Sequence, residues 1–188
     1  MKDFILQDVA KSYSNNNLVH FIYRYLFIPS YRITIWFRLL QYLHISHKNI
    51  CRYIVAMGGG KLLNLYYIRL CNKYCCYLPY TTKIGSGLRF PHNFPLVINP
   101  ACVIGINCTI HPGVLIGTDR SKQGAPEIGD FCFLGDGCKI LGNCKIGEWC
   151  FITPNAVVTK DIPAGSVVGC GINNIISNKG MEHVKLYL

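Results

Sequence analysis

The sequence predicts a β-helix, a solenoid of short parallel strands, for the C-terminal half of the chain. Between residues 84 and 168 an aliphatic residue returns at about every sixth position, and glycine often follows it directly. A period of six matches neither an α-helix nor an ordinary β-sandwich, but it is typical of hexapeptide-repeat coils. The anchor positions are Ile84, Phe90, Ile98, Ile104, Ile110, Ile116, Ile128, Leu134, Ile140, Ile146, Ile152 and Val158.

Stacking of coils follows from the shortness of each repeat. A six-residue unit cannot bury its aliphatic anchor alone, so neighbouring coils must cover one another. Three flat faces make one triangular coil, so we expect stacked positions to lie about eighteen residues apart. We expect the glycine after the anchor to supply backbone angles that a side chain would resist. A second inward position, four residues after most anchors, holds a small residue: Cys102, Cys108, Val114, Cys132, Cys138, Cys144, Cys150 and Ala156.

Two interruptions break the repeat. Two extra residues lie between Phe90 and Ile98, and residues 118–126 are polar, lack an anchor and end in Gly-Ala-Pro. We interpret residues 118–126 as a loop extruded from the coil, where functional groups are commonly found. The β-helix is predicted to span residues 79–170, with a tail over residues 171–188.

The eleven cysteines favour buried, reduced thiols rather than disulfides or a metal site. Six of them occupy the small inward position, where cysteine acts as a compact hydrophobic residue, and Cys170 falls in an anchor position. No Cys-x-x-Cys pair is present. Reduced thiols and the lack of a signal peptide predict a cytoplasmic protein without a metal.

Residues 1–78 are predicted to form a basic, aromatic, α-helical region. A polar leader is expected over residues 1–17, followed by helical stretches at 18–46 and 49–78. The triplet at residues 58–60 is Gly-Gly-Gly, which we expect to break or cap the second stretch.

The positive charge is concentrated in the N-terminal part. Residues 1–80 hold ten Lys/Arg and two acids (10 − 2 = +8), whereas residues 81–188 hold nine and seven (9 − 7 = +2). Residues 18–78 contain too many interruptions for a membrane span, which leaves two interpretations open. One is a helical bundle that packs on the coil and on neighbouring subunits; the other is peripheral contact with an anionic membrane at its inner face. No nucleic-acid partner is predicted, because the charge comes without a recognisable binding motif.

Three segments together resemble the serine acetyltransferase family of hexapeptide-repeat acyltransferases. They are Lys83-Ile-Gly-Ser-Gly-Leu-Arg-Phe-Pro-His92, Ile140-Leu-Gly-Asn143 and Val157-Val-Thr-Lys-Asp-Ile-Pro163. The resemblance spans roughly residues 75–170 and is closest to the branch found with capsule and surface-polysaccharide genes. It implies a left-handed parallel β-helix, a homotrimer, and acetyl transfer from acetyl-CoA to a hydroxyl. Acetyl-CoA is expected in the groove between neighbouring subunits.

The resemblance places the catalytic histidine of the family at His92. A hydroxyl that attacks a thioester must lose its proton as the carbon–oxygen bond forms, and an imidazole is well matched to this task near neutral pH. His92 also lies directly before the two-residue irregularity, where a side chain can leave the regular outer face. Without the resemblance, an ordinary surface histidine would be the simpler interpretation.

Two departures from the family pattern affect the predicted substrate. The family aspartate that orients the catalytic histidine lies fifteen residues earlier, and Tyr77 stands there. A second family histidine, associated with the serine acceptor, precedes a proline at the end of the loop, where Ala125-Pro126 is found. Its loss favours a sugar hydroxyl over serine as the acceptor. What orients His92 stays open.

The remaining site predictions concern His111 and the cofactor. His111 lies one coil from His92 and one residue out of register; it either contacts a substrate or is a plain outward histidine. Pantetheine can bond to backbone groups of successive coils, whereas the CoA phosphates require cations, for which Lys160 is the candidate. By resemblance, the cofactor residues are Gly117, Thr118, Asp136, Pro154, Thr159 and Lys160.

The sequence therefore predicts an acetyl-CoA-dependent O-acetyltransferase that acts on a sugar of a surface polysaccharide, with His92 as general base. Serine O-acetylation and a non-catalytic hexapeptide scaffold are the alternatives. A zinc site of the γ-carbonic-anhydrase type is disfavoured, because it needs three convergent histidines and the coils offer only His92 and His111.

Overall fold

A computed structural model describes residue 8 and residues 18–45, 59–92, 95–119 and 124–187. Fifteen short strands in these ranges form three sheets. Sheet 1 contains β1 (Cys76–Tyr77), β3 (Leu96–Ile98), β6 (Leu115–Gly117), β9 (Lys139–Leu141), β12 (Ala156–Val158) and β14 (Gly171–Ile172). Sheet 2 contains β2 (Lys83–Ile84), β4 (Val103–Ile104), β7 (Glu127–Ile128) and β10 (Lys145–Ile146). Sheet 3 contains β5 (Thr109–Ile110), β8 (Phe133–Leu134), β11 (Phe151–Ile152), β13 (Val167–Val168) and β15 (Ile175–Ser177).

Successive strands pass from one sheet to the next, and strands of successive coils pair in parallel. The register gives the length of each coil directly. Phe133 pairs with Phe151, eighteen residues on, as the repeat predicts. Arg89 pairs with Thr109, twenty residues later, because two residues are inserted in that coil. Thr109 pairs with Phe133, twenty-four residues later, because the loop adds six residues to the next coil. Both interruptions therefore lengthen a coil without breaking the stack.

The anchors and the small residues predicted to point inward form the core. All twelve anchors are buried, with Phe90 the most exposed at 9%, and every small inward residue is at most 1% exposed. All the described cysteines are free thiols. Several inward thiols also donate to carbonyl oxygens of the next coil, such as Cys132 Sγ to Gly147 O at 3.2 Å and Cys150 Sγ to Pro163 O at 3.1 Å. A cysteine at the small inward position can thus donate a weak hydrogen bond to a backbone carbonyl, whereas an alanine has no side-chain donor.

The glycines after the anchors have a different purpose from the one predicted. Gly85 and Gly129 are not among the residues with a positive φ. A Cβ on Gly129 would instead lie 2.7 Å from the amide nitrogen of Glu148, and one on Gly85 would lie 2.7 Å from that of Ile106. Close approach of stacked backbones, not an unusual backbone angle, therefore requires glycine at these corners.

Within residues 18–45 and 59–78, three helices precede the coil: α1 (Leu18–Phe27), α2 (Pro29–Ile45) and α3 (Gly59–Lys73). The predicted stretch 18–46 is thus two helices, because a proline begins the second and restricts the residue before it. The predicted stretch 49–78 is described only from residue 59, and its helix ends at Lys73. Cys75 then takes a left-handed φ of 52°, and the next two residues already form β1 of sheet 1. Ile33, Phe37 and Tyr67 join the same core as the coil residues.

A buried ion pair connects the N-terminal region to the first coil. Asp8 is the only described residue of the predicted polar leader, and it is 3% exposed. Its Oδ2 accepts a hydrogen bond from Arg38 Nε at 2.7 Å, and its Oδ1 accepts from the amide of Leu88 at 2.8 Å. Arg38 Nη1 also donates to the Ile84 carbonyl at 2.8 Å, and Nη2 donates to that of Gly85.

The predicted tail contains ordered structure that closes the other end of the coil. Strand β14 continues sheet 1, β15 turns back to pair antiparallel with β13, and α4 (Gly180–Lys185) lies beside β11. Cys170 is exposed, so its predicted anchor position is wrong. The regular repeat ends at Val168, which is fully buried, and the chain then reverses. Among the helices described, none has the length and apolar character needed to cross a membrane.

Candidate active site

Four of the predicted site residues lie along one edge of the coil, where the chain passes from sheet 3 to sheet 1. His92, His111, Asp136 and Pro154 each follow a sheet 3 position of successive coils. Backbone hydrogen bonds hold this corner in register, because Gly137 donates to the Pro112 carbonyl and Asn155 donates to that of Asp136, at 2.8 and 2.9 Å. The fold thus brings together residues that are far apart in sequence.

A cavity of about 330 Å³ opens beside this edge. Its walls combine two imidazoles, one guanidinium and aromatic surface. The lining residues are Arg89, Phe90, Pro91, His92, Thr109, His111 and Tyr187.

Of the seven lining residues only His92 and His111 were predicted as site residues, and the polar groups that were missed include Arg89 and Tyr187. Arg89 is half-buried, and its guanidinium donates to the main-chain carbonyl of Tyr187. The Tyr187 ring packs on that of Phe133 with centroids 4.5 Å apart, so the C-terminal segment forms one wall of the cavity. Arg89 lies in the segment that carries the family resemblance, whereas no periodic signal in residues 171–188 indicates where Tyr187 lies.

The two histidines are neighbours with different surroundings. Their ring centroids lie 5.7 Å apart in an edge-to-face arrangement, with His92 exposed and the His111 side chain 12% exposed. His111 also packs on the Phe133 ring, at 4.7 Å between centroids. Burial lowers the pKa of His111 below its ordinary value, and the nearby Asp136 carboxylate opposes that shift. His111 is therefore neutral at physiological pH and can accept a proton or a hydrogen bond.

Asp136, which was predicted as a cofactor residue, lies beside His111. Its Oδ2 is 3.2 Å from His111 Nδ1, which is an ion-pair distance, although the angle falls short of that of a hydrogen bond. The Asp136 side chain is 57% exposed, so it is free to rotate into hydrogen-bond geometry with His111 Nδ1. The predicted cofactor contact of Asp136 is untested.

The other predicted cofactor residues lie at a second edge, where sheet 1 ends. Gly117 pairs with Leu141, and Val158, directly before Thr159, pairs with Ile140. Thr118 and Lys160 are exposed at this edge. Asn173 holds the Thr159–Lys160 turn, because its Oδ1 accepts from both backbone amides, at 2.7 and 3.2 Å, and its Nδ2 donates to Thr159 Oγ1.

The predicted site residues therefore form two sets on different edges of one chain. A three-residue strand of sheet 1 separates the edges by about 10 Å, at roughly 3.3 Å per residue. Tyr77, which stands where the family has its aspartate, is 56% exposed on β1 and does not line the cavity. Residues 120–123 of the predicted loop lie outside the described residues. Within the described part of the chain, no group of three His, Cys, Asp or Glu side chains is placed to hold a metal ion.

Residues 125–160 match the family model described as bacterial transferase hexapeptide (six repeats). Over 107 residues the chain is 36% identical to the serine acetyltransferase of Staphylococcus aureus (strain Mu50), which covers 56% of this chain and 50% of the relative. The chain thus spans about half the length of the curated relatives that it matches.

Solved structures show the same fold. The serine acetyltransferase of Brucella abortus strain S19 in complex with coenzyme A is similar, with a TM-score of 0.72, 22% identity, and coverage of 94% of this chain and 67% of that one. The serine acetyltransferase of Neisseria gonorrhoeae in complex with serine gives a TM-score of 0.70, 20% identity, and coverage of 94% and 69%. At this identity the likeness establishes a hexapeptide-repeat transferase fold.

These relatives contradict one prediction from the sequence. The 36% identical relative and the similar structures are serine acetyltransferases, and one of them is in complex with serine. The predicted sugar acceptor and the surface-polysaccharide role are therefore wrong, and the alternative, serine O-acetylation, is favoured. The prediction of a sugar acceptor rested on the absence of the family's loop histidine, where Ala125 is found, and that absence alone was too weak a guide to the acceptor.

Proposed function

We propose that this protein is a serine O-acetyltransferase that transfers the acetyl group of acetyl-CoA to the hydroxyl of L-serine. The observation that carries this proposal is that one cavity holds a histidine, His92, beside a half-buried cation, Arg89. The similarity to serine acetyltransferases supports the reaction and the acetyl donor.

Arg89 suits an acceptor that bears a carboxylate. A guanidinium presents several N–H donors in a plane and binds a carboxylate through two parallel hydrogen bonds. Serine carries that carboxylate, whereas a neutral sugar does not. Arg89 therefore takes the role of binding and orienting the amino acid at this site.

His92 takes the role of general base. Its imidazole accepts the proton of the serine hydroxyl as the hydroxyl oxygen attacks the thioester carbonyl carbon, and it returns that proton to the departing thiolate when the carbon–sulfur bond breaks. Positioned proton transfer of this kind contributes roughly 10² to 10⁴ in rate.

The second edge suits the acetyl-CoA chain. Gly117 and the exposed Thr118 take the role of contacting pantetheine, Thr159 lies in the turn held by Asn173, and the exposed Lys160 takes the role of the phosphate contact. We propose that the coil is left-handed. Because the two edges lie apart on one chain, we also propose that three copies of the chain assemble as a homotrimer. In that assembly the second edge of one subunit faces the histidine edge of its neighbour, with Pro154 lining the groove between them.

Steady-state kinetics with L-serine and L-serinamide test the proposal. We expect Arg89→Gln to raise KM for L-serine at least 10-fold and to leave KM for acetyl-CoA within about 2-fold, since charged hydrogen bonds contribute about 1.5–3 kcal/mol. L-Serinamide lacks the carboxylate, so the same variant should turn it over about as well as the wild type does. His92→Ala should lower kcat by about 10² or more.

Lys83→Gln is the matched control, because Lys83 is an exposed cation on β2 in a different sheet. It should leave all constants within about 2-fold, since it touches no part of the cavity. Equal losses of Arg89→Gln on serine and serinamide would exclude the carboxylate role. A wild-type protein that binds CoA but shows no turnover would favour the non-catalytic scaffold.

We propose that the chain divides into an N-terminal region (18–78), the coil (79–170) and a C-terminal extension (171–188), and that the N-terminal region makes peripheral contact with an anionic membrane through its described helices. Helix α1 exposes an apolar stripe at helical spacing, and the sequence of α1, α2 and α3 contains no acid. Exposed cations on α3, such as Lys61 and Arg69, add positive charge to this region, and anionic lipid complements that charge. The stripe is formed by Val19, Ile22, Tyr23, Leu26 and Phe27.

Sedimentation with vesicles tests that contact. The wild type should bind vesicles that contain 30% phosphatidylglycerol at low salt and should not bind pure phosphatidylcholine. Leu26→Asp should abolish binding, whereas Leu186→Asp, at an apolar side chain 80% exposed in the C-terminal segment, should not. Equal binding to both vesicle types would refute the proposal.

A further inference from the structure

The general base proposed above lacks the carboxylate that a catalytic imidazole needs to hold one tautomer. Tyr77 stands where the family has its aspartate, and its side chain does not line the cavity. An imidazole whose second nitrogen has no hydrogen-bond partner populates both neutral tautomers and several ring orientations. Only one combination of tautomer and orientation presents a lone pair to the acceptor hydroxyl. Another group must therefore fix the His92 ring if the reaction is to be efficient.

His111 is placed to do so. Its ring meets the His92 ring edge-to-face with centroids 5.7 Å apart, so rotation of the exposed His92 side chain can bring a ring nitrogen of each within hydrogen-bond distance. The Phe133 ring packs against His111 on one side, and burial to 12% exposure restricts it further. His111 is thus the more rigid of the two imidazoles.

Asp136 determines which nitrogen of His111 carries the proton. Its carboxylate lies 3.2 Å from Nδ1, so the proton resides on Nδ1 and the Nε2 lone pair stays available. Such contacts are often long or bent in the absence of substrate and tighten when the complex forms. The Asn155 amide donates to the Asp136 carbonyl at this corner. The hydrogen bond fixes the backbone of Asp136 in the coil next to that of His111.

We infer that Asp136 and His111 act together as positioning residues for His92. Asp136 accepts the Nδ1–H of His111, and His111 Nε2 accepts the Nδ1–H of His92. His92 Nε2 is then free to accept the serine hydroxyl proton. The pair replaces the missing family carboxylate through one additional imidazole. This inference rests on the proposed function for its kinetic consequence, but the tautomer of His92 does not depend on any substrate.

The other charged and titratable groups near His111 fit this assignment. Arg89 and His92 both disfavour a positive charge on His111, and Asp136 favours one. Tyr187 completes the cavity wall with its ring on Phe133. The Arg89 charge and partial burial keep His111 neutral, which is the state whose Nε2 can accept the His92 Nδ1–H.

Long-range ¹H–¹⁵N NMR of histidine-labelled protein without substrate tests the positioning directly. In the wild type at pH 8, the ¹⁵N shifts of His92 should report mainly the Nδ1–H tautomer. In His111→Gln and in Asp136→Ala they should move toward the mixture seen for free imidazole. Glu148→Gln, which removes an exposed carboxylate at a different edge, should leave them unchanged. A His92 tautomer that is the same in all four proteins would overturn the inference, whether or not the protein acetylates serine.

Kinetics give a second test. Asp136→Asn should lower kcat about 10- to 100-fold and leave KM for serine within about 3-fold, because only the base is affected. The acid limb of kcat/KM against pH should move to lower pH in Asp136→Asn, since a negative charge that favours protonation of the imidazoles has been removed. Asp136→Glu should recover at least a third of kcat.

A rise in KM for acetyl-CoA with kcat unchanged would contradict the inference and return Asp136 to the cofactor groove. Absence of turnover in the wild type would refute the proposed function and leave the NMR test standing.

Discussion

Arg38→Met should destabilise the protein by about 3–5 kcal/mol, the usual cost of removing one partner of a buried ion pair. Arg38 is 2% exposed, and its guanidinium donates to both carboxylate oxygens of Asp8, at 2.7 and 3.3 Å. It also donates to Gln41 Oε1 and to the backbone carbonyls of Ile84 and Gly85. After the change, the Asp8 carboxylate loses both hydrogen bonds and the positive charge of Arg38, and backbone donors such as the amide of Leu88 do not replace that charge.

Urea unfolding at fixed protein concentration measures this cost. With a slope of about 2 kcal/mol per molar, the midpoint should fall by about 1.5–2.5 M. Arg69→Met is the matched control, because Arg69 is an exposed cation on α3, and its midpoint should move by less than about 0.3 M. A double variant, Asp8→Leu with Arg38→Met, should recover at least half of the loss, since no unpaired charge remains.

The loss should also depend on pH. Burial raises the pKa of the Asp8 carboxyl, and Arg38 opposes that rise. Without Arg38 the folded state holds a proton on Asp8 over a wider range of pH, so the stability of the variant increases as pH falls toward the raised pKa. The difference between variant and wild type should therefore be smaller at pH 5 than at pH 8. A midpoint within 0.3 M of the wild type at pH 8 would refute the structural importance of the pair.

Two further predictions concern the coil. Gly129→Ala should cost about 2 kcal/mol or more by urea unfolding, because its Cβ would overlap the backbone of the next coil at 2.7 Å, whereas Gly117→Ala, with its nearest atom at 3.5 Å, should cost less than about 0.5. A similar loss in both would contradict the stacking argument. A thiol-reactive disulfide reagent should label the exposed Cys75 and Cys170 quickly, but it should not label Cys138, whose pKa burial raises to about 12, until urea unfolds the protein. Labelling of Cys138 in the native protein would show that the coil opens.

The periodic part of the fold could be predicted from the sequence because each anchor is in contact with its counterpart one coil away. Counting the anchors in steps of three pairs Ile110 with Leu134 across the loop, and the structure has the same pair. This pairing places His111 one coil from the corner that contains Asp136. The contact between these two side chains could not be predicted, since the repeat fixes the backbone register and leaves the rotamers free.

The aperiodic parts were predicted less well. Asp8 looked like part of a polar leader, but a partner thirty residues away buries it, and composition carries no signal for such a pair. Tyr187 lies beyond the last repeat, and its place in the cavity depends on the reversal of the chain after β14. The acceptor was predicted wrongly because the missing loop histidine was visible in the sequence, whereas the presence of Arg89 in the cavity beside His92 depends on how the coil folds.

A crystal structure with bound CoA tests the central claim most directly. We expect the thiol to end within about 5 Å of the His92 ring, with the phosphates near Lys160 of one subunit and the thiol facing the histidine edge of its neighbour. A thiol that ends at another edge of the coil, with the cavity between His92 and Tyr187 left empty, would contradict the assignment of this cavity as the site of acetyl transfer.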